Sequence, residues 1–158
     1  MNKKGVTLLE LIVVFILIGI MAAFLVPSIG SWLPRYRLRT ATRDIVSTMR
    51  AAQMRAISSA YSSGTTPFNY QVNFTAGSSY ILQHNTATGG VTINDGVPQS
   101  LPSGITINTN NLPNNIAIFY PSSVCSGGSI TLSYIKNGAT MEQKTISLSP
   151  ATGKITIQ

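Results

Sequence analysis

Acidic side chains are scarce in this chain of 158 residues: Glu10, Asp44, Asp95 and Glu142 stand against 11 lysines and arginines. Four carboxylates so widely scattered leave no paired-carboxylate site for acid–base chemistry. Histidine and cysteine occur once each, as His84 and Cys125. That excludes a sequence-evident metal cluster or a nucleophile–base pair, so no enzyme activity and no cofactor are expected. The single cysteine cannot close an internal disulfide, and the fold must be held by packing. Asn94-Asp95-Gly96 is a fragment of what a calcium loop needs, without the further acids at alternating spacing, and reads as a turn. His84 reads as a surface or satisfied residue, and Cys125 as a half-buried small residue.

What remains is basic, apolar and rich in hydroxyls and amides. The formal net charge is +7 with only 9% charged residues, a composition that suits an extracytoplasmic domain solvated by Ser, Thr and Asn. The length allows one domain plus one anchor.

The anchor candidate is the run from Val6 to Val26, 21 residues whose only ionisable group is Glu10. At 1.5 Å per residue such a helix is about 30 Å long, the thickness of a bilayer core. A carboxylate at the centre of such a helix costs about 2.5–3.5 kcal/mol on insertion scales, so Glu10 calls for a partner. A cleaved signal peptide is the competing reading, with Lys3 and Lys4 as its basic region and small residues near Ala23. The apolar stretch is longer than such a segment needs, and a glutamate sits where its apolar region should begin. Flanking charge does not settle orientation: Lys3 and Lys4 precede the run, whereas Arg35, Arg37, Arg39 and Arg43 follow it.

Beyond Pro27 and Pro34, either of which can bend a helix or begin a new segment, apolar or small residues recur at Leu38, Ala41, Ile45, Met49, Ala52 and Ala56. That spacing predicts one buried stripe of a helix. From about residue 62 the pattern is β. "FNYQVNF" alternates Phe68, Tyr70, Val72 and Phe74 with Asn69, Gln71 and Asn73, and "SYILQH", "VTIN", "ITIN", "IAIFY", "SITLSYI", "KTISLS" and "KITIQ" are further strands. Asn137-Gly138 is a hairpin signal, although the polar "ATMEQ" after it leaves the register open. The expected fold class is α+β: a long N-terminal helix, its first half transmembrane, packed on antiparallel sheet. The expected divisions are a leader over 1–5, a membrane helix over 6–26, its continuation over 27–61 and a β-rich domain over 62–158 that packs with 35–61.

Six arginines, Arg35, Arg37, Arg39, Arg43, Arg50 and Arg55, fall within 21 residues, with Asp44 the one acid among them. Arg35, Arg39 and Arg43 stack at i, i+4 spacing, which costs a few tenths of a kcal/mol unless an anion compensates. They are candidate contacts for an anionic partner: lipid phosphate, acidic residues of a neighbouring subunit, or DNA.

The segment "KKGVTLLELIVVFILIGIMAAFLVPSIG" resembles the N-terminus of type IV pilins and pseudopilins: a short basic leader ending in Gly5, an apolar residue, Thr7, two aliphatics, Glu10 and an apolar helix. The resemblance implies that a prepilin peptidase cuts between Gly5 and Val6 and that the new N-terminus is methylated. It implies a cytoplasmic N-terminus, a single pass through the inner membrane and a periplasmic C-terminal domain. Glu10, the fifth residue after cleavage, would then face the N-terminal amine of a neighbouring subunit, and the pair recovers what either charge loses on leaving water. Relatives usually carry Phe where this chain has Val6. Cleavage removes Lys3 and Lys4 and leaves nine basic against four acidic side chains, a net of +5.

The second half, "NIAIFYPSS", a Gly-containing loop, "GSITLSYI" and "ISLSPATGKITIQ", resembles minor pseudopilins of the H type, which share a fold with FimT-like minor pilins. Relatives often have Gly-Arg where this chain has Gly153-Lys154. The function implied is that of a minor pseudopilin of a type II secretion system, or a minor subunit of a type IV pilus, that enters or caps a periplasmic filament. A DNA-binding minor pilin of an uptake pilus and a major pilin are the alternatives. The implied partners are other pilins or pseudopilins, the peptidase, an inner-membrane assembly platform and membrane lipid.

Overall fold

The helical stripe forms as its spacing predicts. In the computed structural model, α1 runs over Leu8–Ser59, and Leu38, Ala41, Ile45, Met49, Ala52 and Ala56 are all buried, joined by Thr42 and Val46. Residues 7–59, 67–75, 77–86, 91–108, 111–122 and 124–158 are described, without the side chains of 25–31 and 67–68. Neither Pro27 nor Pro34 ends the helix. A proline inside a helix removes one backbone donor, a cost that the surrounding turns absorb here.

The chain divides into two units, Met1–Tyr36 and Arg37–Gln158. In the first, the side chains from 7 to 24 are all exposed. Among the described residues no helix is long and apolar enough to cross a membrane. The apolar stretch with described side chains, 8–24, has 17 residues, fewer than the roughly 20 that a bilayer core requires. The expected span over 6–26 extends past it at both ends, and the leader over 1–5 lies outside the described residues.

In the second unit two antiparallel sheets share one core with the helix. The strands are β1 Pro67–Thr75, β2 Ser79–Thr86, β3 Thr92–Asn94, β4 Gln99–Ser100, β5 Ile105–Asn108, β6 Ile116–Phe119, β7 Gly128–Lys136, β8 Ala139–Leu148 and β9 Ile155–Ile157. The first sheet has the order β3-β2-β1-β6, with β4 also pairing β2; the second has the order β5-β7-β8-β9. Val72, Phe74, Tyr80, Ala117 and Phe119 from the first and Ile105, Ile130, Leu132, Ile146 and Leu148 from the second meet the helical stripe in one hydrophobic cluster.

Asn137 and Gly138 both have positive φ, 52° and 76°, the requirement of the two-residue turn that matches strand twist. This turn closes the β7–β8 hairpin, and the polar "ATMEQ" belongs to β8, with Ala139 opposite Lys136 and Glu142 opposite Tyr134. The two-residue β4 is a strand that the sequence pattern does not reveal; it is too short to alternate.

Two expectations of exposure are corrected. Asn69 and Gln71, on the polar face of β1, are buried. Gln71 lies in an amide ladder in which Gln71 Nε2 donates to Gln83 Oε1 at 3.1 Å, Gln83 Nε2 to Asn94 Oδ1 at 2.8 Å and Thr92 Oγ1 to Asn85 Oδ1 at 2.8 Å. Within the ladder mutual hydrogen bonds replace the water these amides give up, whereas Asn69 Oδ1 is buried without a hydrogen-bond partner. Cys125 is fully rather than half buried, at 3% exposure, and its thiol donates to the Ser149 carbonyl at 3.1 Å.

Candidate functional site

Thr7 and Glu10 stand at the head of α1. The Glu10 N–H donates to Thr7 Oγ1 at 3.3 Å, and the Leu11 N–H donates to the Thr7 carbonyl at 3.2 Å. Thr7 is therefore the N-cap, and Thr-x-x-Glu is the spacing of a capping box. The Thr7-x-x-Glu10 spacing is legible in the sequence as a helix start. The place of Glu10 in the first turn puts the carboxylate against the positive end of the helix dipole, which favours an anion by about 0.3–1 kcal/mol. The expected processing residues Gly5 and Val6 lie outside the described residues.

The six arginines do not act as one group. Arg35 belongs to the first unit and makes a contact of its own. Arg37 donates from Nη1 to Ser103 Oγ at 3.4 Å. Arg50 is exposed. Arg55 approaches Asp95 Oδ2 at 3.7 Å, with half of its side chain exposed. Arg39 and Arg43 line a cleft of about 180 Å³ with Thr42, Lys144 and Ile157. The helix thus turns different arginines toward different sheets.

Along its other flank α1 faces the first sheet. There Asp44, Ser47 and Thr48 line a second cleft, of about 310 Å³, with Tyr80, Leu82, Gly96, Val97 and Gln99. Ser47 and Thr48 both donate to the Asp44 carbonyl, at 2.8 and 3.0 Å. Burial pushes the Tyr80 phenol above its ordinary value; a hydrogen bond with Thr48 opposes the shift, and the Asp44 carboxylate adds to it.

Near this flank lies a cluster that sequence reasoning did not assemble. His84 on β2 and Asp95, just after β3, meet at 2.7 Å between Nδ1 and Oδ1. A carboxylate only accepts, so in this contact Nδ1 is the donor. The Tyr70 ring sits 5.6 Å from the imidazole. Asp95 Oδ2 is buried without a hydrogen bond, so the Arg55 guanidinium is its electrostatic compensation. His84 is thus a satisfied residue, and the Asn94–Gly96 turn serves to deliver Asp95. Only strand pairing brings these groups together: His84 lies opposite Ile93, two residues before Asp95. Among the described residues no group of three or more histidine, cysteine or acidic side chains could hold a metal.

Residues 1–26 match the model of the prokaryotic N-terminal methylation motif. The match supports a type IV pilin-like protein, anchored at a membrane, processed by a prepilin peptidase and assembled with other pilins. Searches of curated proteins and of solved structures gave no match.

Proposed function

We propose that the chain is a minor pilin-like subunit, of the H-type class, that enters or caps the pseudopilus of a type II secretion system or a type IV pilus. In this reading it has no catalytic role. Residues 6–26 insert in the inner membrane with the N-terminus in the cytoplasm, and the β-rich domain lies in the periplasm. The observation that carries the reading is the head of α1: Glu10 sits in a helical turn capped by Thr7, at the start of a stretch exposed throughout. A helix that is apolar all round is stable only in lipid or against other apolar helices. Within that surrounding Glu10 offers one negative charge at a fixed depth. An ammonium on the processed N-terminus of a neighbouring subunit neutralises it.

The resemblance in the strands after residue 112 supports the H-type class, and the short basic leader supports peptidase processing. Mass spectrometry of the chain from membranes tests the latter: Val6 is the expected first residue, carrying a methyl group. An intact Met1, or a first residue near Phe24, overturns the reading. In the same membranes Glu10→Ala is expected to leave cleavage intact and to lower crosslinking to neighbouring subunits. Full crosslinking in that variant removes the pairing role from Glu10.

A further inference from the structure

Three cations from two elements converge on the smaller cleft. Arg39 and Arg43, one turn apart on α1, approach from one side, and Lys144 of β8 from the other. Lys144 shares the core-facing side of its strand with Ile146 and Leu148, both buried. Ile157 pairs with Ile146 in the neighbouring strand and forms the apolar wall.

No acid lines this cleft. Asp44 lines the cleft on the other flank of the helix, and Glu142, two residues before Lys144 on the same face of β8, does not line this one. Among the described residues the side chains of Arg39, Arg43 and Lys144 make no ion pair and no hydrogen bond. The Thr42 hydroxyl is already committed, donating to the Leu38 carbonyl at 2.7 Å. Recognition here therefore rests on charge.

Like charges one turn apart repel, and a third cation across a cleft with an apolar wall raises the local positive potential further. Such an arrangement is stable when an anion occupies it. A carboxylate presents two oxygens in one plane to one donor group at a time. A phosphate group, as free phosphate or as the phosphodiester of a headgroup, radiates its oxygens tetrahedrally toward several donors at once, matching two guanidinium forks and an ammonium. At about 180 Å³ the cleft is below the roughly 300–1,000 Å³ of a drug-sized site, so it takes a single headgroup-sized anion.

We propose that Arg39, Arg43 and Lys144 form a phosphate-binding site between α1 and the β8–β9 edge. The phosphate belongs to a membrane lipid headgroup or is free phosphate. The site stands independently of the filament role.

The test uses the full chain in maltoside micelles, titrated with inorganic phosphate at constant ionic strength and followed by amide NMR. Saturable shifts are expected around residues 39–43, 144 and 157. Affinity is expected to fall at least tenfold in Arg43→Gln and in Lys144→Gln and to hold in Lys136→Gln, a change at the exposed hairpin tip. Nanodiscs distinguish the sources. If phosphatidylglycerol discs, unlike phosphatidylcholine discs, shift the same amides and abolish the phosphate response, the headgroup is the ligand; if the response survives, free phosphate is. Shifts that are linear, scattered or unchanged in both variants overturn the site, as does a response to duplex DNA alone.

Discussion

The Asp95 carboxylate shows how a single side chain ties the helix to the sheet. One oxygen accepts from His84 at 2.7 Å; the other, buried, has Arg55 at 3.7 Å. These contacts should differ in strength. The His84 and Asp95 side chains are only 19% and 16% exposed, whereas Arg55 is half in water, where ion pairs contribute about 0–1 kcal/mol. A double-mutant cycle with His84→Ala and Asp95→Ala, measured by urea unfolding, is expected to give a coupling of about 0.5–3 kcal/mol. The corresponding cycle with Arg55→Ala should give less. A His84–Asp95 coupling of zero would mean that the short contact contributes nothing to stability.

At the scale of the element, the hairpin β7–β8 depends on two glycines for different reasons. Gly138 needs only its positive φ, since a Cβ there would meet nothing within 4 Å. Gly128, at the start of β7, has φ +132° and would bring a Cβ to 2.7 Å from the Asn111 carbonyl oxygen and 2.8 Å from Leu112 Cδ2. Backbone strain and overlap therefore combine at Gly128. Gly128→Ala is expected to cost about 1–3 kcal/mol, and Gly138→Ala about 1 kcal/mol. Denaturant midpoints at unchanged slope would check this order. The helix differs in kind. Its second half is specified by a stripe visible in the sequence, and its first turn by a cap equally visible. Its polar flanks, Asp44 toward one sheet and Arg43 toward the other, acquire meaning only against the strands they face.

For the whole molecule, the division at Tyr36 and Arg37 implies that the second unit carries its own core. All the members of the hydrophobic cluster lie within it, from Leu38 to Leu148. A chain beginning at Arg37 is expected to remain soluble and monomeric, to show mixed helix and strand by circular dichroism and to unfold cooperatively. Aggregation, or a gradual loss of signal on heating, would show that the core needs the first 36 residues. Cys125 supplies an internal check: its thiol should react with a maleimide only after denaturant is added, because only 3% of the residue is exposed in the folded unit.

The sequence by itself determined the features that depend on neighbours along the chain. The apolar run after Gly5, the stripe from Leu38 to Ala56, the alternation in β1 and the Asn137-Gly138 turn were all legible because helix, strand and turn each impose a short period or a local dihedral requirement. Only the tertiary structure decided what depends on distant residues. Whether Asn69 and Gln71 face water or the interior, which acid serves Arg55, and where Arg39 and Arg43 come together with Lys144 are set by how the strands pair and how the helix lies across two sheets. Local periodicity assigns a polar residue to a face but does not name what lies opposite. The chemistry of each cleft is a sum of side chains from separate elements, brought within a few ångströms only when the shared core forms.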